Sequence, residues 1–507
     1  MDSIEPSQDD RGAAQRFTAR FAALWAEHRH VAERLAAIES STAWAVARRL
    51  SQLCRRLAPE GSRRQWGVRL CVRGVRLWRR EGTITLLRRT AAKLRRRLTG
   101  KPRRGEYVAA EGWDELARPT TLAGGTRKLA PSYGPTTPTP RSCDCRVAFI
   151  GSSAATEAPS MRYRAHHIIE ALDLVGLEGT FVALENVRSN LPAILSHDLI
   201  VLVRMMHNDI AAELIGSARK RNLPLVFDLD DYLFDSWVMP YVEAMHHGMS
   251  QAEALRILDT FGACLDQCDY FTGSTSYLAA KAAEWGKESF VIRNGLSAAQ
   301  LLLSQLALEQ RSIHRRGPGM RIGYFSGTRT HQADFRVVYP ALMRLLREQA
   351  DARLVIVGRL DVGEFPGLAP FMDQIDLLPI RHWSELPAVI TGVDINLIPL
   401  ELTPFNEGKS NLKYYEAGLL KVPSIASPTR IHLENITPGY NGLLARTTEE
   451  WYNGLKELVT RPDRRDYMGQ NAFDHIMKNY TPAAVAAEAV ATYRQILQLH
   501  RSQRAAA

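Results

Sequence analysis

One pattern in this chain constrains its fold more than any other, because it runs twice. From Arg146, short apolar runs alternate with helix-length segments: RVAFIGS, GTFVALE, HDLIVLVR, LPLVFDLDD, DYFTGST and ESFVIRNG. At Met320 the pattern restarts with MRIGYFSGT, then RLVIVG, QIDLLP, VDINLIPL, VPSIAS and NGLLA. Continuous apolar runs of this length are strands buried on both faces. Strands alternating with helices imply a parallel sheet covered on both sides. The sequence therefore predicts an α/β chain with two doubly wound, Rossmann-like domains, at 146–312 and 319–480. Residues 296–318, helical and then basic and Gly-rich, read as the hinge, and 481–507 as a closing amphipathic helix and tail. Ligands of such sheets bind beyond the carboxyl ends of the strands, and a cleft between domains is a common place for a small-molecule site.

The N-terminal part has a different texture. Phe17, Phe21, Leu24, Trp25, Val31, Leu35 and Ile38 recur at helical spacing, and Trp66, Leu70, Val75, Trp78, Leu86, Leu87, Leu94 and Leu98 continue among arginines. Residues 1–98 thus read as a helical, Arg-rich region, and 99–145 as a Pro/Gly/Thr-rich linker. The chain carries a formal net charge of +11, but residues 48–104 alone hold 20 Lys/Arg against Glu60 and Glu81. Basic residues interleaved with Leu and Trp suit an anionic membrane surface. A water-exposed helical region facing a partner protein is the plainer alternative. A nucleic-acid arm ranks below both, because no aromatic-basic RNA motif accompanies the arginines. No apolar run of membrane-spanning length occurs, and MDSIEPSQDD is acidic where a secretory signal is basic. The expected location is the cytoplasm, peripheral at the inner face of the cytoplasmic membrane. Six cysteines without zinc-type spacing read as free thiols.

The stretch richest in chemistry is PFNEGKSNLKYYEAGLLKVPSIAS, residues 404–427. A polar loop leads into a predicted helix over 409–420 bearing Lys409, Ser410, Asn411, Lys413 and Glu416. Lys409, Lys413 and Glu416 are spaced four and three apart, which puts them on one helix face. The start of such a helix with two lysines suits a diphosphate, and Glu416 can accept hydrogen bonds from a ribose diol. An amphipathic surface helix with an internal ion pair fits the same letters. A second candidate is the end of the strand MRIGYFSGT, where Ser326, Gly327 and Thr328 allow close backbone approach and Arg329 can pair with a phosphate.

These motifs resemble the donor domain of GT-B glycosyltransferases of the group 1, family-4-like type. Their signature is a Glu, seven residues, a second Glu, then a Gly-x-Pro turn and a strand. Glu416-Ala-Gly-Leu-Leu-Lys-Val-Pro-Ser-Ile-Ala-Ser matches the second half. Gly408 stands where the first Glu belongs, with Glu407 one residue before it. The run Lys409-Ser410-Asn411-Leu412-Lys413-Tyr414-Tyr415-Glu416 is similar to a subgroup of bacterial O-antigen and rhamnan-type surface-polysaccharide transferases.

The resemblance implies catalytic roles for Lys413, Arg329 and Glu407, and donor binding by Ser326, Gly327, Thr328, Lys409, Ser410, Asn411 and Glu416. It implies an acceptor side built from Arg162 and Arg164 in Ser160-Met161-Arg162-Tyr163-Arg164, and from Asp230 and Asp231 in Asp228-Leu229-Asp230-Asp231. Arg204 and His207 also end a strand near that side, whereas His166 and His167 read as helix-surface or core residues. Asp-x-Asp is the metal motif of the other large glycosyltransferase fold, but the second complete domain favours a metal-free role here. The expected partners are a nucleotide-sugar donor and a lipid-linked glycan acceptor, with no cofactor and no metal, and the expected reaction retains anomeric configuration. A non-catalytic scaffold that binds a sugar, and a nucleotide-sugar epimerase on the same fold, remain open at the level of sequence.

Overall fold

A computed structural model describes residues 145–152, 159–243, 250–311, 319–327 and 332–506. The expectations for the helical region, the linker, the basic segment 48–104, Thr328 and Arg329 lie outside the described residues.

Each predicted strand is present, and each sits where its apolar run ends in small or polar residues. In the first domain they are β1 (Arg146–Gly151), β2 (Glu178–Ala183), β3 (Leu199–Val203), β4 (Leu225–Leu229), β5 (Tyr270–Gly273) and β6 (Glu288–Val291). In the second they are β7 (Met320–Ser326), β8 (Ala352–Gly358), β9 (Ile375–Leu378), β10 (Ile395–Ile398), β11 (Ser424–Ala426) and β12 (Leu443–Leu444). Both sheets are parallel throughout, in the orders β2-β1-β3-β4-β5-β6 and β12-β11-β10-β7-β8-β9. The chain reverses direction across the first sheet between β1 and β3, and across the second between β7 and β10. A parallel sheet opens a crevice at such switch points, outside the carboxyl ends of the strands. The loops after β1, β3, β4, β7 and β10 are therefore the ones placed to form a site.

The helices that carry or support this region are α1 (His167–Leu174), α2 (Ala298–Glu309), α3 (Gln332–Glu348), α4 (Leu386–Ile390), α5 (Pro404–Glu407), α6 (Leu412–Gly418), α7 (Arg430–Asn435) and α8 (Pro482–Ala506). The predicted helix over 409–420 is shorter, α6 alone, and the separate one-turn α5 falls in the stretch read as a polar loop. α5 ends at Gly408, and α6 starts only after Asn411, whose side-chain amide donates to the Tyr480 hydroxyl at 2.7 Å instead of capping the helix. Lys409 and Ser410 thus lie in the turn between two short helices, not on the face that carries Lys413 and Glu416.

The closing helix belongs to the other domain. α8 follows the second sheet in sequence, yet Val485, Ala486, Ala489, Tyr493, Ile496 and Leu497 are buried in the core that holds Val147, Phe149, Val201 and the inner face of α1. Its apolar stripe, legible as an amphipathic helix, finds its partner about three hundred residues upstream. Cys145, Cys264 and Cys268 are buried free thiols.

Candidate active site between the two sheets

The β7 end is shaped by a glycine across from it. Gly358 has φ +109°, and a Cβ there would lie 1.6 Å from the Ser326 carbonyl oxygen, so only glycine lets the ends of β7 and β8 come together. Ser326 is buried and its hydroxyl donates to the Arg359 carbonyl at 3.2 Å, whereas Gly327 faces open space. Of these two expected donor contacts, Gly327 is the exposed one.

Lys409 lies beside Asp334, a residue that sequence reasoning missed. Asp334 sits in the first turn of α3 and is 3% exposed. One carboxylate oxygen accepts the Glu401 amide and the Asn406 side-chain amide, each at 2.9 Å, and the other lies 3.8 Å from Lys409 Nζ. The signal was available as an acid at the start of the helix after the first strand of the second domain, where an anion also meets the helix dipole. Lys413 is partly buried, with Nζ 5.6 Å from the centre of the buried Tyr324 ring. Burial pulls its pKa down to about 8, Asp334 opposes this, Lys409 adds repulsion, and Glu416 favours the charge. Asp334 thus pairs with Lys409, and its charge also favours the ammonium form of Lys413.

Glu416, one turn along α6, meets the first domain. The Tyr163 hydroxyl donates to its carboxylate at 3.0 Å and accepts from Gln300 at 3.2 Å. Burial pushes the Glu416 pKa up, against the Tyr163 hydrogen bond and the charges of Arg162 and Lys413. Arg162 stacks between Tyr163 and Trp383, 4.9 and 5.2 Å from their ring centres, and its buried Nε has no hydrogen-bond partner. Trp383, which precedes α4, was not singled out in the sequence.

Gly408 explains the departure from the two-glutamate signature. A Cβ at 408 would lie 3.0 Å from Leu278 and 3.1 Å from Tyr232, both in the first domain. A glutamate side chain there would fit only if these neighbours gave by a few tenths of an ångström. Glu407 does not stand in for it in this arrangement, because its carboxylate accepts the Arg430 amide at 2.7 Å and caps α7. Its expected catalytic place therefore finds no support in its contacts.

The acceptor-side candidates divide. Arg164 lies in the core, with no exposed surface, and pairs in bidentate fashion with the equally buried Asp228 at 2.9 and 2.7 Å. It does not reach the crevice. Asp228 also accepts the Thr272 hydroxyl at 2.6 Å, so Asp228 and Asp230 do not present a shared carboxylate pair to the cleft. Asp230 and Asp231 stay together at the carboxyl end of the first sheet, bridged by Arg204 at 3.1 and 2.7 Å. Arg204 has φ +47°, a left-handed conformation that a non-glycine residue adopts only when its surroundings hold it there. Burial and the Asp231 charge push the Asp230 pKa up, and Arg204 opposes them. His207 pairs with Gln267 at 3.0 Å. His167 is a core residue as expected, donating to the Gly295 carbonyl at 2.8 Å with its pKa pulled down by burial to about 3.

Residues 336–491, which include most of α3, the lysine turn and Glu416, match the model of the glycosyl transferase-like family. The two parallel six-stranded sheets have the GT-B architecture. The chain's fold is similar to that of sucrose-phosphate synthase from Thermosynechococcus elongatus, with 15% identity and a TM-score of 0.50 over 70% of this chain and 100% of that one. A glycosyltransferase from Rickettsia africae shares the fold at 11% identity and a TM-score of 0.50, over 70% and 99% of the two chains. Anabaena HepE in complex with UDP matches at 14% identity over 69% and 100% of the two chains, with a TM-score of 0.48. No curated protein matches the chain.

Proposed function

We propose that this chain is a GT-B glycosyltransferase that moves a sugar from a nucleotide-sugar donor to a hydroxyl of a lipid-linked glycan, in the synthesis of a bacterial surface polysaccharide. The observation that carries the donor reading is that Lys413 and Glu416 share the short helix α6 beyond β10, with Lys409 in the turn before it and Glu416 bonded to Tyr163 of the first domain. Negative charge grows on the departing diphosphate as the glycosidic bond breaks. Ammonium groups already fixed beside it stabilise that charge without reorganising. In this reading Lys413 and Lys409 hold the diphosphate, Arg329 adds to them, and Glu416 exchanges the Tyr163 hydroxyl for the ribose. The acceptor approaches from Arg162, Asp230 and Asp231. We propose retention of anomeric configuration and turnover without a metal ion.

Purified full-length protein, offered UDP-, GDP- and dTDP-sugars, tests this by donor hydrolysis or transfer. Lys413→Ala should lower turnover tenfold to about a thousandfold, the range that such electrostatic groups supply. Undiminished turnover removes Lys413 from the site. Activity lost in EDTA and restored by manganese refutes metal independence. No hydrolysis of any donor favours the non-catalytic scaffold, for which Gly408 in the signature position is the specific motive.

A further inference from the structure

The buried ion pair Arg164–Asp228 has no place in the proposed transfer chemistry, yet it ends at the donor turn. Asp228 uses both oxygens on Arg164, at 2.9 and 2.7 Å, and also accepts the Thr272 hydroxyl. The remaining Arg164 nitrogen donates to the Ile292 carbonyl at 2.5 Å and to the Asn294 side-chain oxygen at 3.0 Å. Arginine only donates, so the Asn294 oxygen must face it and the Asn294 amide nitrogen must face away. That nitrogen donates to the Ser410 hydroxyl at 3.1 Å, across the boundary between the two domains. Asn294 is 2% exposed, and Arg164, Asp228 and Thr272 are fully buried. The orientation of one amide is thus dictated by a core ion pair, and it lands on the residue between Lys409 and Asn411. A second cross-boundary bond joins the Thr275 hydroxyl to the Gly408 carbonyl at 3.3 Å.

We propose that Asn294 is a positioning residue for the donor site. It carries the fixed geometry of the Arg164–Asp228 pair to Ser410 and holds the 408–411 turn where its lysine meets the diphosphate. The turn needs such a hold, because it links two short helices and Asn411 does not cap the second one. Because the link crosses the boundary, it exists only when the domains are together, so donor affinity is set in part by closure. This rests on the donor reading of the lysine turn.

The test uses the full chain and the nucleoside diphosphates UDP, GDP and dTDP as probes, with affinity measured by calorimetry. Asn294→Leu and Ser410→Ala should each weaken binding of the preferred diphosphate about threefold to tenfold, as expected for one net hydrogen bond. Ser410→Thr keeps the acceptor oxygen and should restore affinity to near wild type, which a merely space-filling role does not predict. The double variant should lose no more than either single one, since both remove the same link. Amide exchange at 409–412 should also quicken in Asn294→Leu without any ligand. Ser410 lies in a partly exposed turn, so Ser410→Ala keeps the test decisive if Asn294→Leu does not fold. Unchanged affinity and exchange in Ser410→Ala, or additive losses in the double variant, overturn the proposal and leave the donor reading intact. Wild-type protein that binds none of the three diphosphates overturns the donor reading and, with it, this one.

Discussion

Lys413 is the residue whose surroundings most directly predict behaviour. Its pKa in the folded chain is about 8, against 10.5 for an unperturbed lysine. The unfolded chain therefore holds this proton more tightly than the folded one. Between about pH 8 and 10.5 stability gains from this group as pH rises, and the full penalty of burying the ammonium is present below 8. A bound diphosphate reverses the balance by favouring the charge. Diphosphate affinity should fall as pH rises through about 8, and binding near that pH should take up a proton. Calorimetry in buffers of different ionisation enthalpy reads both, and Lys413→Arg, which stays charged, should flatten the profile. Arg164 makes the second prediction at this scale. Removing one partner of a buried ion pair leaves an uncompensated charge, so Arg164→Met or Asp228→Asn should cost about 3–5 kcal/mol in chemical denaturation. Lys413 and Glu416 were legible from their spacing and from the Lys421-Val422-Pro423 turn into a buried strand. Arg164 was misread, because two arginines separated by one residue look alike in sequence. Here a π-helical turn over Arg162–His166 takes Arg162 to the crevice and Arg164 into the core.

At the scale of elements, the strands were readable because runs such as LIVLV and LVFDL are buried on both faces and leave no alternative period. The helix over 409–420 was not, because its start depends on Asn411 turning to Tyr480, far along the chain. α8 is the sharper case. Its stripe is visible in the sequence, but the surface that covers it is not. Deleting residues 482–507 should expose the core around Val147 and Phe149, giving protein that binds a hydrophobic dye and is readily cleaved by protease. Ile496→Ala should cost about 2–5 kcal/mol, the range for truncating a buried aliphatic side chain. A variant within a few tenths of wild type would mean that α8 does not stabilise the first domain. Gly295 reports on the same packing, since a Cβ there would lie 2.2 Å from Val485.

For the whole molecule, the charge map sets the prediction. Residues 48–104 hold a net +18 from 20 basic and two acidic residues, and no described helix is long and apolar enough to cross a membrane. Each basic residue that reaches an anionic leaflet contributes about 1 kcal/mol, so a third of them suffice for peripheral binding. Full-length protein should float with liposomes containing anionic lipid, while a chain starting at residue 140 should not. Equal behaviour of the two rejects the membrane reading. The sequence by itself determined the two doubly wound domains, the crevice-forming loops and the Lys413–Glu416 face, because burial on two faces and helical spacing are local properties of the chain. Only the tertiary structure decided that Gly408 packs tightly against Leu278 and Tyr232, that Asp334 lies beside Lys409, that α8 returns to the first domain, and that Arg164 reaches the donor turn through Asn294. Each of these depends on groups tens to hundreds of residues apart, which meet only when two sheets and their connecting helices have packed.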